Sequence, residues 1–160
     1  RRQRQMCIRD SPEIEGENVN QHDVGHGKAV GRFEAMDVRK KIRYQHMSLI
    51  DKIVSRLKST PEGNGSMFDH TMLLYFPDNG ETHHSQGTEW PFVVISGDKT
   101  PLDISGRYIR LPRYGQAGHQ TLGNWYTTLL NAYGNPIHHF GSLDVGLSFD
   151  QSGPIDKFIS

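Results

Sequence analysis

Apolar residues along the chain fall into a few stretches that are separated by polar, glycine-rich segments. The segment from about Phe33 to Ser59 predicts a helix, because its apolar residues recur every three or four positions and share one face. Those residues are Met47, Ile50, Val54 and Leu57, and lysine and arginine occupy much of the other face. The sequence "TPEGNG" is expected to end this helix, since it contains Pro61 and two glycines.

Two short stretches are continuously apolar and predict strands. They are "TMLLYF" and "PFVVISG", and such runs are typical of strands buried on both faces of a sheet. We therefore expect Met72–Phe76 and Phe92–Ser96 to be adjacent strands of a parallel or mixed sheet. "GRYIRLP", residues 106–112, alternates apolar and polar positions and predicts a weaker third strand.

A second helix is predicted over residues 121–133. Its apolar face carries Leu122, Trp125, Leu129 and Ala132, which share one side at helical spacing. Gly134 follows the last turn, where a capping glycine is expected. The order helix, strand, strand, strand, helix predicts an α/β fold, with the first helix packed on one face of the sheet and the second helix covering it.

Composition narrows the class of protein. Of the 160 residues, 34% are hydrophobic, and 18 basic residues balance 18 acidic ones, so the formal net charge is zero. This balance gives no electrostatic case for binding nucleic acid or an anionic membrane surface. No apolar run approaches the ~18 residues of a membrane span, and "RRQRQMCIRDSPE" lacks the apolar core of a signal peptide.

Residues 1–11 differ from the rest of the chain. They contain "MCIRDS", which resembles translated sequencing-adapter scars, and they read either as such an artefact or as a basic, disordered tail. Cys7 is the one cysteine and lies in this segment. Residues 12–160 therefore offer neither a disulfide nor a thiol nucleophile.

Nine histidines are many for this length, and two pairs of them carry the candidate chemistry. His22 and His26 are separated by three residues, with Asp23 between them. This spacing suits two metal ligands on one helical face. Gly25 and Gly27 instead favour a loop, which can also bring two imidazoles together.

The second histidine pair follows the first predicted strand. Asp78 comes at the end of that strand, and His83 and His84 lie in the same loop. Ligands gather at the carboxyl ends of strands in open α/β sheets, and a transition metal needs its donor atoms within ~2.0–2.2 Å of one point. Neither pair is a specific motif by itself, because most histidines are surface or hydrogen-bonded residues.

Other features are weaker. His119 lies in the glycine-rich "GQAGHQTLGN" before the second helix, and a helix N-terminus can hold an anion. The alternative is that Thr121 caps the helix. "PEGNG" lacks the GK[ST] of a P-loop, and the chain has no G-x-S-x-G to support a nucleophile-elbow hydrolase.

A family resemblance lies in two long blocks, "LIDKIVSRLKSTPEGNGSMFDHTMLLYFPDNGETHHSQGTEWPFVVISG" and "GRYIRLPRYGQAGHQTLGNWYTTLLNAYGNPIHHFGSLDVGL". They resemble the core and the C-terminal end of a bacterial family of domains of unknown function, number 1552 in that series, over roughly residues 20–160. The resemblance implies that residues 12–160 are the C-terminal part of a longer domain. It implies the C-terminal portion of an alkaline phosphatase- or sulfatase-like sheet, flanked by helices.

The resemblance also implies where a site would lie. In that superfamily, a strand ends in Asp-His-Gly, and a later histidine and an earlier Asp-x3-His pair complete a two-metal site that polarises a phosphate or sulfate ester. Here Asn79 replaces the first histidine and is a poor ligand for a transition metal. His83 or His84 stands at the later position, and His22 and His26 have the offset of the early pair.

The altered site is compatible with one metal, with two in a different arrangement, or with none. The ligand set that the resemblance implies for a divalent ion (Zn, Ca or Mg) is His22, His26, Asp78, His83 and His84. Glu81 and Asn79 are expected to lie behind these ligands.

Two functional hypotheses follow. The first is part of a metal-dependent phosphate or sulfate ester hydrolase, exported to the periplasm or cell surface as the resemblance implies. Its nucleophile is expected in a missing N-terminal part of the same protein, and a small ester is the expected substrate. The alternative is a non-catalytic exported binding or surface protein that keeps the fold, which Asn79 and the histidine at position 22 favour.

Overall fold

A computed structural model describes residues 13–77 and 87–159 of the chain. These residues form a mixed α/β structure with small, two-stranded antiparallel sheets. The strands are β1 (Glu13–Ile14), β2 (Glu17–Asn18), β3 (Pro61–Glu62), β4 (Gly65–Ser66), β5 (Met72–Tyr75) and β6 (Val93–Ser96). The helices are α1 (Gln21–Gly25), α2 (Ala35–Ser59) and α3 (Leu122–Ala132), with 3₁₀ turns at Met67–His70 and Asp156–Phe158.

Helix α2 confirms the first predicted helix, with a start two residues later than expected. Asp37 lies in its first turn and Arg56 and Lys58 lie in its last turn, an arrangement that complements the helix dipole. The helix ends at Ser59, just before Pro61. Its apolar face is half-buried rather than buried beyond its first turns.

A first hydrophobic cluster forms around the N-terminal half of α2. It consists of Ile14, Val19, Val24, Ala35, Val38 and Ile42. The β1–β2 hairpin and α1 thus cover the start of α2, and Arg32 and Lys41 both pair with the Glu15 carboxylate in the hairpin turn. The pairs hold the pKa of Glu15 below its ordinary value, chiefly through the hydrogen bond from Lys41.

Strands β5 and β6 are adjacent, as predicted, but they form a two-stranded antiparallel sheet, so the expected parallel or mixed sheet is wrong. Met72 lies opposite Ser96, and Tyr75 lies opposite Val93. An antiparallel pair needs no crossover helix, whereas a parallel pair does. The sequence between Pro77 and Pro91 has no helical periodicity and contains two glycines, which already disfavoured a crossover.

The two strands are half-buried, so the expectation that both faces are buried is also wrong. One face is covered, because Met72, Leu74 and Val94 pack against a second hydrophobic cluster. The buried residues of this cluster are Leu102, Trp125, Ile155 and Phe158. Alternation places Tyr75 on the opposite face, where its hydroxyl lies 3.0 Å from His46 Nδ1 of α2. These contacts leave the side chains of both strands only half-buried or exposed.

Residues 106–112, the predicted third strand, have no strand assignment. Gly106 has φ +68°, and Pro112 closes the segment without an N–H group to donate. Ile109 and Leu111 nevertheless pack against the second cluster, and Tyr108 is exposed. Exposed and half-buried side chains therefore alternate from Tyr108 to Leu111, as the sequence predicts. However, the segment pairs with no strand in the described residues.

Helix α3 confirms the second predicted helix. It contributes Trp125 to the second hydrophobic cluster. Trp125 is 4% exposed, and its ring centroid lies 4.9 Å from that of Phe92 and 5.6 Å from that of Phe158. Both ends are capped as the sequence suggests. Gly134, with φ +81°, follows the last turn, and its N–H donates to the Asn131 carbonyl at 3.2 Å, as in a Schellman motif.

The C-terminal segment, residues 135–159, has little regular structure and is held by polar side chains of α3. Asn124, Thr127 and Thr128 are all buried there. The Thr127 hydroxyl accepts the N–H of Phe140 at 3.0 Å, and the Thr128 hydroxyl accepts the N–H of Ile155 at 2.7 Å. The two threonine hydroxyls thus accept backbone N–H groups that have no neighbouring strand to donate to.

Across the two described ranges, the helices are either too short or too polar to cross a membrane.

Candidate functional site

Of the predicted pair, His22 lies on α1 and His26 directly follows its last residue, and neighbouring residues fix both ends of this helix. The Asn20 side-chain oxygen accepts the N–H groups of His22 and Asp23, at 3.1 and 3.4 Å, which is the usual N-cap arrangement. Val24 is buried in the first cluster. The helix is therefore fixed at its start by a cap and along its inner face by an apolar anchor.

Arg39 of α2 fixes the other end of α1. Its guanidinium donates to the Val24 carbonyl at 2.7 and 3.1 Å and to the Gly25 carbonyl at 2.7 Å. These carbonyls lie at the end of the helix, where few backbone N–H groups are available to them; the Val24 carbonyl also accepts the N–H of Gly27 at 3.0 Å. A cation at that end also matches the helix dipole. Sequence reasoning missed Arg39, because nothing in the local pattern distinguishes it from the other basic residues of α2.

The two imidazoles are close together. The N–H of His26 donates to the carbonyls of His22 and Asp23, both at 3.1 Å, and the ring centroids lie 4.7 Å apart at an interplanar angle of 69°. The expectation of a loop here is wrong, because the Asn20 cap and the Arg39 contacts stabilise one helical turn that includes Gly25. Gly27, with φ +84°, follows the turn.

Asp23, between the two histidines, is already paired. Its Oδ1 accepts a hydrogen bond from Lys28 Nζ at 2.9 Å and lies 3.9 Å from His22 Nδ1. The hydrogen bond from Lys28 is the main reason that the pKa of Asp23 is lowered from its ordinary value. The carboxylate therefore contributes negative charge beside the imidazoles while its Oδ1 is occupied by Lys28.

The separation of the rings fits a shared metal ion. Two imidazoles that bind one tetrahedral ion at ~2.0–2.1 Å hold their ring centres ~5 Å apart, which is close to the observed 4.7 Å. The His22 side chain is 55% exposed, so an ion can reach it. Within residues 13–77 and 87–159, however, no group of three or more His, Cys, Asp or Glu side chains is arranged to hold a metal.

The other predicted site residues lie outside the described residues: Asp78, Asn79, Glu81, His83 and His84. The described strand that precedes them is anchored on α2, because Tyr75 contacts His46. Arg39 and His46 are seven residues apart on α2, which puts them on the same face, ~10 Å apart along the axis. Helix α1 and the end of β5 are thus attached to one face of α2.

The remaining described histidines have structural positions. His119 Nδ1 lies 3.0 Å from the Pro112 carbonyl oxygen. At the start of α3, the side chains of Thr121 and Asn124 each accept a hydrogen bond from the backbone N–H of the other residue. The prediction that Thr121 caps this helix is therefore confirmed, and nothing in the described residues supports an anion site there. Both ring nitrogens of His139 are buried and have no hydrogen-bond partner in the described part of the chain.

No family model matches the chain, and no solved structure matches it.

Proposed function

We propose that the protein binds a divalent transition metal of the zinc class through His22 and His26. The observation that carries this proposal is the 4.7 Å separation of their rings on a helix that is fixed at both ends. Neutral imidazole nitrogen suits zinc and its neighbours, whereas calcium and magnesium prefer oxygen donors. Of the three ions considered from sequence, zinc is therefore the one that this pair favours.

The remaining ligands are proposed to come from the segment after β5. Asp78, His83 and His84 are the donors in that segment, with Glu81 and Asn79 beside them. The support is that Tyr75 and α1 are attached to the same face of α2, two helical turns apart. Among the described residues, no third His, Cys, Asp or Glu is arranged with the pair to hold a metal, and Oδ1 of Asp23 accepts a hydrogen bond from Lys28.

The proposed activity is hydrolysis of a phosphate or sulfate ester, within an alkaline phosphatase- or sulfatase-like sheet. This rests on the family resemblance, which also supplies the proposal of an exported protein and of a nucleophile N-terminal to residue 12. A bound divalent ion would polarise an ester oxygen. His22 and His26 would hold and orient that ion, and the negative charge of Asp23 beside them would favour a cation over an anion at this point.

Metal titration of the protein and of single variants tests the assignment. We expect His22→Ala and His26→Ala each to weaken zinc binding by at least about tenfold, since each removes one of few donors. His70→Ala is the matched control, because His70 is exposed in a different element. Binding is measured by calorimetry with zinc and by the visible absorption of bound cobalt, which reports the coordination number of the metal.

An unchanged affinity in both site variants would reject the His22/His26 site. A loss of affinity in His70→Ala equal to theirs would show adventitious surface binding. If the site variants lose metal but the longer protein hydrolyses neither aryl phosphate nor aryl sulfate esters, the metal site stands and the hydrolase does not. That result would favour the non-catalytic alternative, which Asn79 supports because an amide is a poor transition-metal ligand.

A further inference from the structure

A cleft of about 1210 Å³ lies between the β5–β6 hairpin, α3 and residues 107–114. We call it the hairpin cleft. It is lined on its apolar side by Val94, Ile109, Leu111, Trp125 and Phe140. Pockets for small molecules have volumes of roughly 300–1,000 Å³, so this cleft has room for a longer and larger occupant.

Val93 and Val94 of β6 line the hairpin cleft, and β6 has a free edge because it pairs only with β5 in the described residues. The N–H of Gly97 donates to the Thr71 carbonyl at 3.0 Å, which makes these two residues a hydrogen-bonded pair of the ladder. Bonding alternates along an antiparallel pair. The backbone N–H and C=O of Val94, which faces Leu74, therefore point away from β5 and lie at a sheet edge that no described strand covers.

The segment of residues 108–111 also lines the hairpin cleft. None of its N–H or C=O groups makes a backbone hydrogen bond within the described chain. Its apolar residues, Ile109 and Leu111, pack toward the second cluster, while Tyr108 is 92% exposed. The segment therefore has the side-chain alternation of a strand and backbone groups available for a ladder.

The rim of the hairpin cleft is positively charged. Its basic residues are Arg43, Arg107, Arg110 and Arg113, and its acidic residues are Glu89 and Asp144. Arg107 pairs with Asp103 at 3.0 Å, and Asp144 accepts the Tyr114 hydroxyl at 3.0 Å. No described carboxylate lies within ion-pair distance of the other three arginines, so the rim offers cationic groups to an occupant.

We propose that the hairpin cleft binds an extended polypeptide strand from outside this chain, with apolar residues at alternate positions and carboxylates at its ends. Its backbone pairs with Val94 on one side and with residues 108–111 on the other, as in strand addition to a sheet edge. Its carboxylates meet Arg110 and Arg113. A second copy of this chain is a poorer occupant, because the sequences "MLLY" and "VVIS" of its hairpin carry no acid.

The probe is the synthetic peptide acetyl-EVTVTVTVE-amide, titrated against the protein and followed by tryptophan fluorescence and calorimetry. Two matched peptides separate the contribution of backbone pairing from that of charge. In the first, alternate backbone nitrogens are methylated, which removes the donors that point to one of its two edges; we expect binding to weaken by at least about tenfold. In the second, lysine replaces both glutamates; we expect a similar loss, because like charges then meet at the rim.

The charge-reversal variant Arg110→Glu/Arg113→Glu makes the test independent of folding damage. Both side chains are exposed, and we expect the variant to prefer the lysine peptide over the glutamate peptide, which a misfolded protein would not do. The proposal is overturned if the methylated peptide binds as well as the parent, if the parent peptide fails to bind at millimolar concentration, or if the double variant keeps the original preference. A peptide-resistant dimer in size-exclusion chromatography would also overturn it, in favour of a second copy as the occupant.

Discussion

Replacing Asn124 by alanine is expected to lower the free energy of unfolding by at least about 3 kcal/mol. The side chain is 3% exposed, and its amide nitrogen donates to the carbonyls of Gln151 and Gly153 at 2.8 and 2.9 Å. Its oxygen accepts the N–H of Thr121 at 2.8 Å. The change leaves several buried backbone groups without partners, and each such group costs ~1–3 kcal/mol.

The loss is large compared with the ~5–15 kcal/mol of a typical domain, so chemical denaturation followed by circular dichroism will resolve it. Asn135→Ala is the matched control, because Asn135 is exposed beyond the end of α3; we expect a change within about 0.5 kcal/mol. Equal effects of the two substitutions would show that Asn124 does not hold the C-terminal segment in place.

Gly97→Ala is expected to be the second severe substitution, with a loss of about 3 kcal/mol or more. Gly97 is buried at the end of β6, and a Cβ there would overlap the Phe68 carbonyl oxygen and lie 2.6 Å from Asp69 Cα. Those are backbone atoms of the Met67–His70 turn, which cannot move aside as a flexible side chain can. The displacement would also strain the bond from the Gly97 N–H to the Thr71 carbonyl.

Gly63→Ala separates this steric effect from the general effect of replacing a glycine. Gly63 has φ +56°, and a Cβ there would meet nothing within 4 Å, so its substitution costs only the ~1–2 kcal/mol of left-handed backbone. Thermal unfolding of both variants gives the comparison. If Gly97→Ala were the milder of the two, the close approach of β6 to the 3₁₀ turn would be refuted.

The two longer helices, α2 and α3, were predictable from sequence because their apolar residues repeat with the period of a helix and because the stop signals are local. Pro61 follows α2 closely, and Gly134 follows α3 at the expected place. Strands β5 and β6 were located but not oriented, since a continuous apolar run does not indicate the direction of the neighbouring strand. The hairpin register depends on which residues pair across the sheet, and that information is not local.

The candidate site was predictable in one part only. The spacing of His22 and His26 correctly indicated that their rings could meet, because four residues return a helix to nearly the same face. The pairing of Asp23 with Lys28 and the support from Arg39 depend on how α1 packs against α2. A single sequence contains no periodic signal for such contacts, and the same is true of the three polar residues that α3 buries.

The two hydrophobic clusters are expected to unfold locally as separate units. One cluster contains Val38 and the other contains Trp125, and no buried residue belongs to both. Between them, the second half of α2 leaves Leu49 and Ile53 about half exposed, at 56% and 49%. Regions that share few buried contacts open as separate units in amide hydrogen exchange. The amide protons of Val38 and Trp125 should therefore exchange through different opening reactions, each with its own dependence on denaturant.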